Sequence, residues 1–104
     1  MRMDFVIKAG DTRNALFATL EPAQGIVADI ANVRFRMSDT LHNTLIDRLV
    51  DGGVLPEVFV RFTDAEVATS GNYLGEFVAT YTDDSIETFP NDDYIKIQIL
   101  KNVG

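Results

Sequence analysis

Alternation of apolar and polar residues with a period of two is the feature that most constrains the fold of this chain. It is clearest in ANVRFRMSD at 31–39, where Val33, Phe35 and Met37 face one way and two arginines face the other. A strand with this pattern buries one face in a core and leaves the other in water. The same period recurs along the whole chain, and long helical periodicity is absent. The sequence therefore predicts an all-β protein.

The other predicted strands are separated by turn signals at roughly even spacing. Residues 44–51 fit either a strand or a single helical turn, 63–71 favour a short helical turn, and 87–93 favour a turn at Pro90. Short strands in this arrangement predict an immunoglobulin-like antiparallel β-sandwich of about seven to eight strands, as a single domain over 1–104. Its inward faces are predicted to be Phe5 and Ile7; Leu16, Ala18 and Leu20; Val58, Val60 and Phe62; Tyr73, Gly75, Phe77, Ala79 and Tyr81; and Ile95, Ile97 and Ile99.

Composition bounds both the size and the chemistry of the protein. At 104 residues, with 46% apolar and 24% charged residues, the chain is long enough for one domain with its own core. The absence of cysteine excludes disulfides, thiol catalysis and thiolate metal sites. The net charge of −7 and the scattered positions of the nine lysines and arginines argue against binding to nucleic acid or to an anionic membrane.

The start of the chain, MRMDFVIKAGD, has no apolar run of the kind that forms a signal peptide. No run elsewhere approaches the roughly 18 apolar residues of a transmembrane helix. We therefore expect a soluble protein that is made in the cytoplasm and is not exported.

The stretch SGNYLGEF at 70–77 contains a Gly-x-Tyr step, from Gly71 to Tyr73. In immunoglobulin-type domains such a tyrosine forms a tyrosine corner, in which the hydroxyl bonds the backbone a few residues upstream. Gly71 permits the bend, and the predicted acceptors lie within 64–68. The cysteine that usually follows would stand near Gly75, but the corner does not require it. The alternative is that Tyr73 is only the first core residue of a strand, and its role is structural in both cases.

No pattern of catalytic residues is present, so the sequence predicts that the protein is not an enzyme and holds no cofactor. The single histidine, His42, lies in a predicted loop, where a solvated side chain is the ordinary case. No nucleophile-elbow, phosphate-loop or zinc-protease motif occurs.

Two kinds of ligand site remain as alternatives. Asp83-Asp84 and Asp92-Asp93 flank predicted neighbouring strands, and together they would offer four carboxylates to calcium. Neither pair has the spacing of a calcium loop, and adjacent aspartates are common in solvated turns, so no metal is predicted. A glycan site usually offers exposed aromatic residues in loops, and the predicted loops here hold few besides Phe89, which argues against this alternative.

Two phenylalanines are predicted to point away from the core. The alternation that turns Leu16 and Val60 inward turns Phe17 and Phe59 outward. Aromatic residues at the centre of an exposed strand face often mark a contact surface. We therefore expect Phe17 or Phe59 to lie in a contact with another protein or with a second copy of the chain. The alternative is that a segment such as 38–56 folds over both rings.

Four short motifs, spread over nearly the whole chain, follow the order found in one family of virus proteins. They are Gly10-Asp11-Thr12, Asp29-Ile30 with Val33, Phe35 and Met37, Gly71-Asn72-Tyr73, and Thr88-Phe89-Pro90 leading to Tyr94. On these motifs the chain resembles the immunoglobulin-like N-terminal domain of phage upper baseplate proteins and related small virion proteins of tailed viruses. It departs from the family at Asp93, where glycine is usual, at Ile30, which replaces leucine, and at Pro56-Glu57, which replaces a glycine.

The resemblance implies a structural adaptor of a tailed-virus particle, most simply in the tail or baseplate. Such a protein would dock on other virion proteins or on copies of itself, would reside in the virion, and would bind neither nucleic acid nor membrane. A capsid decoration protein or a head–tail fitting is the alternative placement. A calcium- or glycan-binding module and a non-viral intracellular sandwich are the alternatives from other classes.

Overall fold

The computed structural model describes residues 3–22, 29–90 and 93–102, and its regular structure consists of strands. No helix in these ranges is long and apolar enough to cross a membrane. The strands are β1 (Met3–Lys8), β2 (Ala15–Thr19), β3 (Ile30–Asp39), β4 (Thr44–Leu49), β5 (Glu57–Arg61), β6 (Gly71–Tyr81), β7 (Ile86–Phe89) and β8 (Ile95–Leu100).

The strands form two sheets that share one hydrophobic core. The large sheet has the order β1-β8-β6-β3-β4, with β7 also pairing with β6, and the small sheet consists of β2 and β5. The order β8-β6-β3-β4 matches the G-F-C-C′ order of variable-type immunoglobulin domains, while β2 and β5 match strands B and E. The predicted immunoglobulin-like sandwich is therefore confirmed. All strand pairs are antiparallel except β1 with β8, which is parallel.

Strand β6 organises the large sheet because it is long enough for several partners. Strand β3 pairs along one edge of it, while β8 and β7 share the other edge, opposite 71–75 and 77–80 respectively. The sequence prediction of a turn over 87–93 is therefore wrong for its first part, since Phe89 lies in β7, opposite Phe77. Because β8 pairs only with 71–75, the same edge of β6 is free beyond Gly75, and the backbone of 86–89 pairs there.

Two other uncertain segments take defined conformations. Residues 44–49 form a strand, the first of the two alternatives for that region. The segment after β5 contains turns at 64–67 rather than the predicted helical turn. Its hydrogen bonds are nonetheless those of a helix N-terminus, since the backbone N–H of Glu66 donates to Thr63 Oγ1 and Glu66 Oε1 accepts from the N–H of Thr63.

The core confirms the predicted inward faces. Phe35, Phe62 and Phe77 are almost completely buried, and their ring centroids lie 5.7 Å (Phe35–Phe62) and 5.4 Å (Phe35–Phe77) apart. Each such side chain contributes about 1.5–3 kcal/mol through burial. The aliphatic members come from both sheets, so each sheet buries one face against the other. These buried residues include Ile7, Leu16, Leu20, Val33, Met37, Val58, Val60, Ala79, Ile95, Ile97 and Ile99.

Gly75 shows how the core does without the disulfide of an immunoglobulin domain. A Cβ atom at this position would lie 2.8 Å from Ile97 Cδ1 and 3.3 Å from Phe35 Cε1. The buried tryptophan of immunoglobulin domains stands on the strand that corresponds to β3, where it packs on the disulfide. Here Ile97 of β8 and Phe35 of β3 occupy the space that a side chain at position 75 would need, so packing takes the place of the cross-link.

Candidate protein-docking surface

The small sheet places the two outward phenylalanines directly opposite each other. In the antiparallel pairing of β2 with β5, Phe17 is the partner of Phe59, and their ring centroids are 5.7 Å apart. Leu16 and Val60, one residue along each strand, are buried at 2% and 0% exposure. The rings therefore lie side by side on the outer face of the small sheet, as the alternation predicts. We call this pair the aromatic pair.

The two rings differ in how far the rest of the chain covers them. Phe59 is half-buried because the segment after β4 pairs with the far edge of β5, through hydrogen bonds of 3.0 Å from Asp51 N–H and 2.9 Å to Gly52 C=O. The Phe59 ring lies over Gly52, where a Cβ atom would be 3.0 Å from it. Phe17 remains 67% exposed. The alternative in which 38–56 folds over both rings therefore holds in part for Phe59 and not for Phe17.

The hydrogen bonds of Phe59 also determine where the backbone of β2 points. Both its N–H and its C=O are used on the far side, by Gly52 and Asp51. Phe17 and Phe59 are thus a non-hydrogen-bonded pair of the ladder, and the N–H and C=O of Phe17 point away from β5. The bond from Leu20 N–H to Pro56 C=O, 2.8 Å long, fits the same alternation.

The outer edge of β2 is consequently an open edge. It presents the N–H and C=O groups of Ala15, Phe17 and Thr19, and within the described ranges no strand pairs with it. Edge strands are usually protected by charged side chains or proline. The sequence of β2, ALFAT, contains neither. The exposed ring and the open edge thus belong to the same strand.

A polar cluster around Arg48 connects the large sheet to the small sheet, next to the segment that carries Gly52. Arg48 of β4 donates to Glu66 Oε2 at 2.8 Å, to Asp51 Oδ2 at 3.1 Å and to the C=O of Arg61 at 3.0 Å. Asp51 Oδ2 also accepts from the N–H of Arg61 at 2.6 Å. We call these contacts the Arg48 clasp. It joins β4, at the edge of the large sheet, to the end of β5, which is the strand that carries Phe59.

Electrostatics at the clasp favour the charged form of Glu66. Burial raises the pKa of the Glu66 carboxyl. The hydrogen bonds from Arg48 and from the N–H of Thr63 together lower this pKa by more than burial raises it, so it lies below its ordinary value of 4.5. Sequence analysis missed the clasp. The spacing Thr63-x-x-Glu66 is the one signal that could have marked Glu66, as a capping pair.

Tyr73 makes the type of hydrogen bond expected of a tyrosine corner. Its hydroxyl donates to the C=O of Thr69 at 2.7 Å, so the predicted range of acceptors, 64–68, is wrong by one residue. Gly71 has φ +153°, in the region that favours glycine. The ring packs against the core at its edge. This contact holds the start of β6 against the chain that reaches it.

The acidic pairs considered for calcium are not brought together. Asp83 and Asp84 follow the end of β6, whereas Asp93 precedes β8, whose first residue Ile95 lies opposite Gly75. The separation along β6 is about 20 Å at roughly 3.3 Å per residue, because β7 occupies the intervening edge. Asp92 lies outside the described residues. In the part of the chain that the structure describes, no group of three or more His, Asp or Glu residues is placed to hold a metal ion.

Phe89, which the sequence placed in a loop, is buried in β7 at 6% exposure, so it offers no exposed aromatic surface to a glycan. A shallow polar groove lies elsewhere, over the outer face of the large sheet. Its lining includes Arg36 and Glu76 together with His42 and Tyr94, whose ring centroids are 6.2 Å apart. His42 is exposed, in the turn between β3 and β4.

Comparisons with known proteins address the fold and not the activity. No protein-family model matches the chain, and no curated protein matches it. Among solved structures, the chain is similar to CopC from Methylosinus trichosporium OB3b, with a TM-score of 0.57 and 11% identity. The similarity covers 98% of this chain and 88% of that chain. At this identity the likeness shows the fold alone, and it agrees with the β-sandwich described above.

Proposed function

We propose that the protein is a structural adaptor of a tailed-virus particle, placed in the tail or baseplate, and that it acts by docking on other proteins. The observation that carries the docking role is the 67% exposed ring of Phe17 beside Phe59, on a strand without charge. An exposed phenylalanine beside a half-buried one on a strand face has the composition of an interface anchor. The viral placement is supported by the sequence motifs that resemble upper baseplate proteins.

Two of those motifs have a structural role in the fold. Gly71 and Tyr73 form the corner that starts β6, and Phe89 places β7 against the core. A fold of this kind presents stable surfaces, which is a property required of a part that is assembled into a particle in many copies.

The placement is tested on virus particles and on the gene's surroundings. An antibody raised against the purified protein should label the tail or the baseplate of particles in negative stain, and tail-tube, tape-measure or portal genes should flank the gene. Label on the head would instead favour a capsid decoration protein or a head–tail fitting. Absence of label from purified particles would reject the proposal.

The docking surface is tested by a pair of matched substitutions. Phe17→Ser should abolish incorporation into particles while leaving the melting temperature unchanged, because the ring is exposed. Leu49→Ser is the control, since Leu49 is also exposed, at 54%, but lies on the outer face of the large sheet. Truncation of a central anchor typically costs about 2 kcal/mol or more of binding free energy. Normal incorporation of the Phe17→Ser protein would show that docking uses another surface.

The polar groove supports a second candidate, a glycan-binding module. Tyr94 is 40% exposed beside His42, and Arg36 and Glu76 supply hydrogen-bonding groups at the same place. A ring flanked by polar side chains suits a sugar, which has apolar faces and a rim of hydroxyls. Binding to a glycan array that is lost in Tyr94→Ala and kept in Phe17→Ser would favour this candidate over the adaptor.

A further inference from the structure

We propose that the open edge of β2 pairs with β2 of a second copy of the chain, antiparallel and centred on Phe17, to form a two-fold dimer. The proposal rests on the proposed function only in taking the aromatic pair to be a docking surface. The partner is now specified, and so is the register in which it binds.

The backbone of β2 is symmetric about its central residue in the way that a two-fold pairing requires. The outward N–H and C=O groups belong to Ala15, Phe17 and Thr19, which are spaced equally around Phe17. In an antiparallel pairing centred there, Phe17 meets Phe17 of the second copy, and Ala15 meets Thr19 of the second copy. Each of these is a hydrogen-bonded pair that exchanges two backbone bonds. The open groups of the strand are all satisfied.

The residues just beyond the strand are complementary in charge in this register. If pairing continues by two residues at each end, Arg13 comes opposite Glu21 of the second copy, and Glu21 comes opposite Arg13 of the second copy. Both side chains are exposed in the single chain. Moving the centre by two residues along β2 removes this match, since Arg13 or Glu21 would then face Phe17. Charge complementarity therefore selects both the antiparallel direction and the register.

The side chains of the outer face would form one continuous aromatic row. The order of strands becomes β5-β2-β2-β5, so that Phe59 and Phe17 of one copy are followed by Phe17 and Phe59 of the other. Neighbouring strands lie about 4.8 Å apart, close enough for the two Phe17 rings to shield one another from water. The exposed area of Phe17 is thereby reduced without any change in the fold.

Two of the other sheet edges, those of β1 and β4, are less suited to such pairing. Strand β1 carries Asp4 and Lys8, and β4 carries Asp47 and Arg48, so each edge has charged side chains of the kind that discourage strand addition. A two-fold contact also closes on itself, so it yields a dimer and not a fibre. Strand β2 is therefore the edge that a second copy would use.

The test is sedimentation equilibrium of the purified protein over a range of concentrations. We expect a monomer–dimer equilibrium that Phe17→Ser abolishes. Arg13→Glu and Glu21→Arg should each raise the dissociation constant about tenfold, because each places like charges opposite each other at both ends of the pairing. The double variant Arg13→Glu, Glu21→Arg should return to within about threefold of the parent, since the opposite charges face each other again. Lys96→Glu, on the outer face of the large sheet, is the control and should leave the dissociation constant unchanged.

Three results would overturn the proposal. The first is a parent protein that stays monomeric up to about 1 mM, a concentration that corresponds to very weak binding. The second is a dimer that is insensitive to Phe17→Ser, which would use another surface. The third is a double variant no tighter than the single ones, which would reject the register. A dimer that fails to enter particles would reject the viral adaptor and leave the pairing intact, so the two failures are distinguishable.

Discussion

The two sheets of the sandwich share a core but differ in what they present to water. On the large sheet, Arg34 pairs with Asp47 at 2.9 Å and Arg36 approaches Glu76 at 3.5 Å, so the centre of the exposed face carries pairs of opposite charges, with Leu49 exposed beside them. On the small sheet the aromatic pair takes the centre of the outer face, with Glu57 and Arg61 exposed at its two ends. Charged side chains on an outer face are hydrated in the single chain, whereas an exposed aromatic patch is stabilised when another surface removes it from water.

The edges of the two sheets differ in the same direction. The large sheet ends in β1 and β4, both of which carry charges, while the small sheet has the uncharged β2 at one of its two edges. The small sheet therefore has an exposed aromatic ring and an uncharged edge strand, and both belong to β2. This difference in exposed apolar surface and edge protection is the physical basis for proposing the small sheet as the interaction surface.

The largest expected effect on stability comes from replacing phenylalanine by alanine in the shared core, compared with the same replacement on the outer face of the small sheet. Phe35→Ala should lower the free energy of unfolding by about 3–5 kcal/mol, because it leaves a cavity against Phe62 and Phe77. Phe17→Ala should change it by less than about 0.5 kcal/mol, because the ring is exposed. Urea denaturation at concentrations where the chain is monomeric measures both. Similar costs for the two variants would mean that Phe17 is covered within the chain.

The second test compares the Arg48 clasp with the exposed charge pairs of the large sheet. Arg48→Met should cost about 2 kcal/mol, since it leaves Glu66 and Asp51 without a cationic partner in a partly buried site. Arg34→Met, in one of those exposed pairs, should cost less than about 0.5 kcal/mol. Equal losses in thermal or urea denaturation would show that the clasp has no special role in joining the sheets.

The third test concerns the corner that begins β6. Tyr73→Phe keeps the ring and removes the hydrogen bond to Thr69, so it should cost about 1 kcal/mol. Tyr94→Phe is the control and should have no measurable effect on stability, because that ring is 40% exposed. A Tyr73→Phe protein as stable as the parent would show that the hydroxyl contributes nothing to the fold.

The smallest expected effect is on the pH dependence of stability. The pKa of Glu66 is lowered in the folded state, so its contribution is fully present above the ordinary value of 4.5 and is lost as the pH falls through the lower folded value. Glu66→Gln should be less stable than the parent near neutral pH, and this difference should shrink on acidification. Asp39 and Asp83, whose pKa values are lowered by bonds from Asn43 and Ser85, act in both proteins. A stability difference that is constant with pH would contradict the role of the clasp.

The class of the fold and most of the core could be predicted from the pattern of residues along the chain. Period-two alternation assigns each side chain to one of two faces, so Val33, Phe35 and Met37 could be placed inward without any knowledge of their partners. The same rule placed Phe17 and Phe59 outward. Gly71 and Tyr73 were recognisable because a local turn and a nearby acceptor are properties of a short stretch of chain.

Which strands pair could not be predicted in this way, because strand pairing joins residues that are far apart in the chain. The strand character of 86–89 depends on the uncovered edge of β6, and the distance between Asp83 and Asp93 depends on β7 lying between them. The Arg48 clasp joins Asp51, Arg61 and Glu66 through the pairing of β5 with the segment after β4. The open edge of β2 likewise follows from β1 pairing with β8, a choice made by long-range packing and not by the local pattern.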